Sequence, residues 1–413
     1  MFFIVGRENF IQNCRMPCNF GGKVTQVFIS DKQNKKACHF MLVSEIFSYL
    51  CSIKQKDLIG YMQRMMYRVI AATLVCSAMF LLASCSNDDN PAERPYEYTG
   101  VPLVIVDTDI GSSTDDLFTM MMLYGYQDQK RSKLLGVVVN REGEDCAACA
   151  DVMNTYYGYG DIPIGLIRDG IKSPKVWIDY KALPTHTDSK GELMFQRSIA
   201  DYSTLPDGWQ LYRQLLAAQP DYSVSILSVG FVTSLAQLLQ SGPDKYSSLN
   251  GVELVRRKVK CLYMMGGVFG DAVEPIEFNF AQGIDFVQTF FQLWPADVDI
   301  IMSPGEVGDG IEYRPEQVIA DIDWTDLHPI KQVYLNYNCN TGQKMWDPLT
   351  LINAVEGNSL FTLSERGTVT VSDKGETFFT PLPTGNVRYH LTQDAAWCAD
   401  MLERIRTFNK VRR

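Results

Sequence analysis

An apolar run followed by four closely spaced aspartates is the feature that most constrains the fold of this chain. The run covers residues 101–106, and a turn containing Gly111 separates it from a second apolar stretch at residues 117–126. The four acids are Asp107, Asp109, Asp115 and Asp116. The first run predicts a strand buried on both faces, and the second stretch predicts a helix with Thr114 as its N-cap. The acids are therefore expected at the carboxyl end of a strand, where open α/β sheets bind their ligands.

This acidic turn has the composition of a site for a hard cation. Carboxylates crowded together repel one another, and each is costly to ionise alone. A bound cation removes that penalty. A set of oxygen ligands without Cys or His favours Ca²⁺ or Mg²⁺ over zinc. The alternative interpretation is a solvated acidic turn that only caps the following helix.

The rest of the chain alternates between strand and helix patterns. Further strands are predicted at residues 134–139, 162–167, 223–228, 258–264 and 298–302, with a late hairpin at 367–371 and 377–379. Further helices are predicted at residues 145–157, 208–218, 232–240, 284–293, 349–355 and 395–408. This alternation predicts one α/β domain over residues 99–413, with an open, doubly wound, mostly parallel sheet flanked by helices. The irregular stretch at 168–206 is predicted to be a lid or a substrate loop.

The first hundred residues carry the pattern of an export signal. Arg64 and Arg68 precede an apolar run at residues 69–82, and Leu-Ala-Ser then leads to Cys85. A basic segment, a short apolar segment and a small-residue site are typical of such signals. The apolar run is shorter than the roughly 20 residues of a membrane span. The segment resembles a bacterial lipoprotein signal, in which the cysteine becomes the acylated N-terminus.

That signal divides the chain before the domain. Residues 62–85 are predicted to be the signal peptide, and the polar residues 86–98 are predicted to be a flexible tether. Because an export signal does not work from the middle of a chain, Met62, Met65 or Met66 is the expected start, and residues 1–61 are expected to be missing from the mature protein. The mature protein would be anchored by lipid on Cys85, on the periplasmic or surface side of a bacterial envelope.

Net charge and cysteine spacing limit the other function classes. The net charge is −10 with no basic cluster, which argues against a nucleic-acid partner. Cys146 and Cys149 could form a redox pair or half of a zinc site, but no second Cys pair completes such a site. Small buried thiols facing a sheet are the preferred interpretation.

Several sequence blocks, in order, resemble the inosine–uridine-preferring nucleoside hydrolase family. These blocks are the opening turn from Asp107 to Asp116, residues 225–236, Met265-Gly266-Gly267 with Glu277-Phe278-Asn279, and Asp347-Pro348. The resemblance covers nearly all of the chain from residue 101 onward. It implies a calcium-dependent enzyme that hydrolyses the N-glycosidic bond of ribonucleosides to free base and ribose. Such a cleavage passes through an oxocarbenium-like sugar, and a cation assists it by acidifying a water molecule.

The resemblance also implies a role for each matching residue. Asp109 would contact the calcium and take the proton from its bound water. The other implied metal ligands are Asp116, Asp347 and the backbone carbonyl of Val229. The implied ribose contacts are Asp115, Asn140, Met265, Asp271, Glu277 and Asn279.

The chain departs from the family pattern at two places. The turn after Asp109 is two residues longer than the common form and contains Ser112 and Ser113, so the assignment of Asp115 or Asp116 to the metal stays open. Trp346 stands where many members have the histidine that protonates the departing base. Indole can stack on a base or donate one hydrogen bond, but it does not deliver a proton. His186, Tyr334 and Tyr337 are the candidate replacements, although His186 is interpreted first as an exposed loop residue.

Two other functions stay open at this point. One is a lipoprotein that binds nucleosides or related ribosides without turnover, which the Trp346 and Ser112-Ser113 departures favour. The other is a haloacid-dehalogenase-like phosphatase, whose nucleophile motif is also a strand ending in Asp-x-Asp, although that superfamily expects a later Lys and a separate acidic pair. Members of the hydrolase family often form dimers or tetramers, which leaves a homo-oligomer as an open expectation.

Overall fold

The computed structural model describes residues 13–16, 24–27, 98–172, 176, 178–272 and 274–412. The chain divides into two compact units, Met1–Asn90 and Pro91–Arg413. In the first unit, Asn13–Met16 pairs antiparallel with Val24–Val27. The predicted signal peptide and all of the tether except Tyr98 lie outside the described residues. In the part that is described, we find no helix with the length and apolar character needed to cross a membrane.

The second unit is built on a central sheet of nine strands. Its strands, and those of a small separate sheet, are β1 Leu103–Thr108, β2 Lys133–Glu142, β3 Ile164–Lys172, β4 Val224–Ser228, β5 Val259–Met265, β6 Asp299–Ser303, β7 Glu312–Tyr313, β8 Gln343–Lys344, β9 Gly367–Val371, β10 Thr377–Pro381 and β11 Val387–Tyr389. The nine strands lie in the order β10-β9-β11-β6-β5-β4-β1-β2-β3. From β11 to β3 all neighbours are parallel, and β9 and β10 add an antiparallel edge. β7 and β8 form the separate antiparallel pair.

Helices cover both faces of this sheet. They are α1 Asp115–Asp128, α2 Glu144–Tyr156, α3 Gly208–Ala217, α4 Thr233–Gln240, α5 Gly251–Lys258, α6 Phe278–Gln282, α7 Ile284–Leu293, α8 Gly305–Gly308, α9 Pro315–Asp321, α10 Pro329–Asn336, α11 Trp346–Glu356 and α12 Ala395–Asn409. Alternate residues of β1 point into two different apolar layers: Val104 and Val106 pack with α1, α2 and α11, whereas Leu103 and Ile105 pack with α3, α4, α5 and α7. This two-sided burial explains why β1 is apolar at successive positions.

The predicted fold class, an open and mostly parallel α/β sheet, is confirmed. The predicted strands and helices are present, with ends shifted by a few residues. Two shifts matter for the site, because β2 runs on to Glu142 and α11 begins at Trp346. Thr114 takes the N-cap position of α1, but its side chain makes no capping hydrogen bond; its Oγ1 lies 3.0 Å from Oη of Tyr334.

One side chain of α2 anchors the far end of the long segment after β3. Asp151 accepts hydrogen bonds from the backbone N–H groups of Ser198 and Ile199 and from the hydroxyl of Tyr202. Burial raises the pKa of Asp151, but these hydrogen bonds outweigh burial and lower it below its usual value. These hydrogen bonds fix the far end of a loop whose only helical parts are two short 3₁₀ turns, Leu183–Thr185 and Tyr202–Thr204, among the described residues. On the same helix, Cys146 and Cys149 are free and fully buried, as predicted.

Candidate active site

A cavity of about 550 Å³ opens at the carboxyl ends of β1, β4 and β5. β2, which follows β1 in the chain, lies on one side of β1 in the sheet, and β4 lies on the other side. Ligands of open α/β sheets bind at such a reversal of strand order. The cavity wall combines acidic, amide and apolar side chains, and its volume is in the range of small-molecule sites.

Three carboxylates from distant parts of the chain meet in this wall. Asp115 and Asp116 begin α1, Asp347 lies in the first turn of α11, and one oxygen of each lies within 4.8 Å of the others. The backbone N–H of Asp347 also donates to Oδ2 of Asp115 at 3.4 Å. All three residues are buried. The structure thus brings the late Asp-Pro block to the opening acidic turn, as the sequence predicted.

The electrostatics of these three residues match a cation site. Burial is the largest cause that raises the pKa of Asp115, to about 6, despite the hydrogen bond from Ser113. Burial, followed by repulsion between neighbouring carboxylates, raises the pKa values of Asp116 and Asp347 well above the usual range. The charged forms are therefore disfavoured unless positive charge is added, and the donor set consists of oxygens alone. These residues fit a hard divalent cation.

Asp109 lies in the same wall but has a different partner. Its Oδ2 accepts a hydrogen bond at 2.6 Å from Nη2 of Arg141, a fully buried residue near the end of β2. The same Nη2 donates to Oγ of Ser112 at 2.7 Å. Asp109 is not among the three grouped carboxylates, whereas Asp115 is. Asp109 nevertheless lines the same cavity and is the largest carboxylate charge acting on Asp116, so its assignment to the metal, and that of Asp115 to the ribose, stay predictions.

Glu277, Asn279 and Met265 also line the cavity. Glu277 caps the short helix α6 and accepts from the N–H of Asn279 at 2.7 Å and of Phe280 at 2.9 Å. Nδ2 of Asn279 donates to Sδ of Met265 at 3.5 Å. Burial raises the pKa of Glu277 to about 7, although these N–H groups act in the opposite direction. Glu277 is therefore the N-cap of α6, and it also lines the cavity.

Two of the residues assigned to the ribose lie away from the cavity wall. Asn140 is fully buried, donates to Asp107 and accepts from the N–H of Phe231 at 3.0 Å. Asp271 is exposed and is not part of the wall. The amide of Asn140 is thus engaged by the protein itself, and its contact with the ribose stays a prediction. Val229, by contrast, is buried in the cavity wall.

Asp107 supports the site from behind. It is fully buried, accepts from the hydroxyl of Tyr212 at 2.8 Å and lies outside the cavity wall. Burial raises its pKa to about 8 despite the hydrogen bonds from Tyr212 and Asn140. The first acid of the opening motif therefore binds protein groups, and the later acids face the cavity.

Trp346 also lines the cavity and is held in place by two hydrogen bonds. Its Nε1 donates to the carbonyl oxygen of Gly305 and to Oδ1 of Asp309, each at 3.1 Å. A β-carbon added to Gly308 would lie 2.2 Å from Cδ1 of Trp346. The indole is thus held closely against α8. The apolar residues that line the cavity include Val176, Ile178, Val268, Ala272 and Phe278.

The candidate replacements for the missing histidine lie elsewhere. Nδ1 of His186 is 3.2 Å from Oη of Tyr337, and both side chains are half-buried rather than fully exposed. Tyr334 is buried against Thr114. None of the three lines the cavity, and no histidine does so within the described part of the chain.

Sequence reasoning missed several residues of the site. Arg141 is the most important; the available signal was a lone arginine directly after Asn140, at the end of an aliphatic strand. Asp309, Gln343 and Lys344 also line the cavity. They were not predicted because Asp309 directly follows the short helix α8, and Gln343 and Lys344 form the two-residue strand β8. Elements of so few residues have no periodic sequence pattern.

Comparisons with known proteins agree with this geometry. The family described as inosine-uridine preferring nucleoside hydrolase matches residues 104–399. A plant nucleoside hydrolase is 18% identical and covers 74% of this chain and 99% of its own, with a TM-score of 0.55. The inosine-uridine preferring nucleoside hydrolase of Bacillus anthracis is 16% identical and covers 75% of this chain and 100% of its own, with a TM-score of 0.54.

A third structure, the purine-preferring ribonucleoside hydrolase from Gardnerella vaginalis, is 15% identical and covers 75% of this chain and 99% of its own, with a TM-score of 0.54. At these identities the solved structures show a shared fold. No curated protein sequence matches the chain.

Proposed function

The chain belongs to the inosine-uridine preferring nucleoside hydrolase family, metal-dependent enzymes that act on N-glycosyl bonds, and we propose that it hydrolyses ribonucleosides to free base and ribose with calcium as the metal. One observation carries the proposal. Asp115 and Asp116 meet Asp347, which lies more than two hundred residues later in the chain, in one cavity that Glu277 and Asn279 also line. A solvated acidic turn would not bury these side chains.

Calcium is favoured over softer metals by the ligands on offer. The grouped side chains are carboxylates, and the carbonyl of Val229 is the proposed backbone ligand beside them. When bound, a calcium ion lowers the pKa of a coordinated water molecule and orients it. The buried carboxylates hold the ion, and their uncompensated repulsion favours its binding.

The remaining polar residues of the wall divide the other tasks. Asp109, fixed at one oxygen by Arg141, takes the proton from the attacking water. Glu277, Asn279 and Met265 hold the ribose hydroxyls and so fix the anomeric carbon over the nucleophile. Positive charge that develops on the sugar is stabilised by the surrounding carboxylates.

Leaving-group activation differs from that of family members with a histidine. The N–H of Trp346 is engaged by Gly305 and Asp309, so the indole offers its ring to the cavity and not a proton. Stacking of the departing base on this ring is the proposed contribution of Trp346. Losing a general acid typically lowers the rate by about 10²–10⁴-fold. Ribosides whose base departs without protonation should therefore react fastest.

Ribose release separates this function from its alternatives. Purified protein with calcium should release reducing sugar from inosine, uridine and nitrophenyl riboside, and Asp109→Asn should lower the rate by about 10³-fold. Asp201→Asn is the matched control, because Asp201 is exposed and contacts only its own turn. Binding of inosine in a calorimeter without ribose release would favour a riboside-binding protein. Phosphate release from nitrophenyl phosphate would favour a phosphatase.

We further propose that the protein is exported and held at the envelope by lipid on Cys85. The support is the basic segment, the short apolar run and the Leu-Ala-Ser-Cys sequence at residues 64–85. Incorporation of labelled palmitate that is abolished by Cys85→Ala is the expected result. Equal labelling of both proteins would contradict the proposal.

A further inference from the structure

We propose that the preferred substrates of this chain are ribosides whose base carries a fixed positive charge, such as N7-alkylated purine ribosides and pyridinium ribosides. The proposal rests on the proposed function, because it names the substrate class of the same site. Three features of the cavity support it: the charge of its wall, the surroundings of the Trp346 indole, and the scarcity of side chains that could give a proton to a departing base.

The cavity wall is strongly acidic. Seven acidic residues line it, whereas Lys344 is the one basic residue among the described residues that do so. The acids are Asp109, Asp115, Asp116, Glu274, Glu277, Asp309 and Asp347. Nζ of Lys344 pairs at 3.2 Å with Oε2 of Glu312, which lies outside the wall and offsets the lysine charge. A bound divalent cation and Arg141, which pairs with Asp109 at 2.6 Å, would offset only part of the negative charge. The acids that are left attract a positively charged ring.

The indole of Trp346 lies beside one of these acids. Its Nε1 donates to the carbonyl oxygen of Gly305 and to Oδ1 of Asp309, each at 3.1 Å, and all three residues line the cavity. Among aromatic side chains, an indole attracts a cation most strongly, through the negative face of its ring. The carboxylate of Asp309 adds a negative charge next to that ring. A cationic base stacked on the indole is therefore stabilised by both groups, whereas a neutral base gains only the stacking.

The wall offers few proton donors to a departing base. No histidine, cysteine or tyrosine side chain lines the cavity in the part of the chain that the structure describes. Burial raises the pKa of Glu277 to about 7, but its Oε1 accepts from the N–H of Asn279 and its Oε2 from the N–H of Phe280. Both oxygens are thus engaged as acceptors. The three grouped carboxylates are ionised whenever they hold a cation. A base that departs without a proton fits this wall best.

A fixed positive charge on the base removes the need for a proton. When the bond between the anomeric carbon and the ring nitrogen breaks, its electron pair goes to that nitrogen. A neutral base then leaves as an anion unless it is protonated, whereas a cationic base takes up the pair and leaves as a neutral molecule. Water adds to the anomeric carbon and gives one proton to Asp109, which passes it to solvent. The products are ribose, the neutral base and a proton, so no further reactant is needed.

Guanosine and N7-methylguanosine are the matched pair of substrates that tests the proposal. They share the ribose and the ring system and differ in one methyl group and the charge that it fixes. With full-length protein and calcium, kcat/KM for ribose release should be at least about 10-fold higher for N7-methylguanosine than for guanosine. A smaller ratio would overturn the proposal and would leave the hydrolysis of ribonucleosides intact.

Variants separate attraction by the wall from the intrinsic reactivity of cationic ribosides. Nitrophenyl riboside is the reference substrate, because it is neutral and its leaving group departs without a proton. Asp309→Asn removes the charge and keeps an acceptor for Trp346, so the ratio of kcat/KM for N7-methylguanosine to that for nitrophenyl riboside should fall by about 10-fold. Lys344→Met removes the one positive charge of the wall, so this ratio should rise by about 3-fold or more.

Exposed residues outside the wall supply the matched controls. Asp201→Asn and Lys133→Met, the latter at the amino end of β2, should keep the wild-type ratio. Opposite shifts in Asp309→Asn and Lys344→Met are a result that a merely structural role of these residues would not produce. An unchanged ratio in Asp309→Asn, or shifts of both variants in the same direction, would overturn the proposal.

Binding of product analogues gives a readout that does not depend on turnover. The cation N1-methylnicotinamide and its neutral counterpart nicotinamide are the probes for calorimetry with the calcium-loaded protein. The cation should bind at least about 5-fold more tightly, and Asp309→Asn should remove most of that difference. Tighter binding of the cation in a protein that releases no ribose from any riboside would support the charge preference of the cavity and contradict the proposed activity. Equal binding of the two probes would overturn the proposal.

Discussion

The backbone N–H of Asp347 donates a hydrogen bond to Oδ2 of Asp115, joining two residues 232 positions apart in the chain. Asp115 opens the first helix of the domain and Asp347 lies in the first turn of α11, so the two helices present their N-terminal ends to one point. Both helix dipoles place partial positive charge there, which helps to hold carboxylates in a buried position. A cation at this point would link early and late parts of the chain.

Removal of the cation should therefore destabilise the whole domain. At a calcium concentration 100-fold above its dissociation constant, binding contributes about 2.7 kcal/mol to the free energy of unfolding. Chelation should accordingly lower the melting temperature by several degrees, as measured by thermal unfolding. Asp347→Asn should reduce this shift, while Asp201→Asn, which is exposed, should retain it. A melting temperature that is the same with calcium and with chelator would contradict the prediction.

Gly308→Ala should disturb the site from outside its wall. The added methyl group would lie 2.2 Å from Cδ1 and 2.8 Å from the Cα of Trp346, so both the indole and the start of α11 must move. Because Asp347 follows Trp346, we expect kcat/KM for ribose release to fall by about 10–100-fold.

Gly242→Ala is the control for that variant, because Gly242 is exposed and lies outside the cavity wall. Its new methyl group would meet no other heavy atom within 4 Å. It should keep kcat/KM close to the wild-type value. Equal activity of the two variants would show that the position of the indole does not matter for the reaction.

The architecture of the domain could be predicted because its signals are local. β1 and α1 have continuous apolar runs that only a doubly covered sheet and a buried helix accommodate. β11, a parallel strand of three residues, was missed because so short a segment has no measurable period, and α5 was missed because its apolar residues are few among charged ones.

Residues of the site could be predicted only where they belong to a recognisable sequence motif. Asp116, Glu277 and Asp347 were found from their sequence blocks and do line one cavity. Arg141 was not found, because it reaches the site only where β2 extends several residues beyond the end of β1. The sequence pattern of a single strand does not show such a difference in strand length. The hydrogen-bond partners of the Asn140 amide, Asp107 and Phe231, were not predicted for the same reason, since they lie on other strands and turns.

Asp151→Asn should release the long loop from α2. The amide would keep one acceptor but would turn an NH₂ group toward donors that include the N–H groups of Ser198 and Ile199. Loss of these hydrogen bonds to a buried charged group should lower the free energy of unfolding by about 2–3 kcal/mol. Urea unfolding measures this change, and limited proteolysis should cleave the variant faster between residues 173 and 206.

The matched control for the loop is Asp201→Asn, an exposed cap of the turn at Tyr202–Thr204. It should leave both urea unfolding and proteolysis close to the wild type. If Asp151→Asn behaved in the same way, the loop would not depend on its anchor in α2.

His390 should make the domain less stable in acid. The residue is only 2% exposed, its ring stacks on Phe361 with ring centres 4.2 Å apart, and neither nitrogen has a hydrogen-bond partner within the described residues. Burial lowers its pKa from 6.5 to about 3. Between these values the unfolded chain binds a proton that the folded chain does not bind, so this residue's contribution to stability is present above pH 6.5 and is lost as the pH falls toward 3, at up to about 1.4 kcal/mol per pH unit.

Between pH 7 and pH 4.5, the free energy of unfolding of His390→Phe should therefore fall by about 2.5 kcal/mol less than that of the wild type, as measured by urea unfolding at each pH. Acids elsewhere titrate equally in both proteins and cancel in this difference. At pH 7 the variant should match or slightly exceed the wild type, because phenylalanine leaves no unpaired ring nitrogen in the core. Parallel pH profiles for the two proteins would mean that His390 is protonated as readily in the folded chain as in the unfolded one.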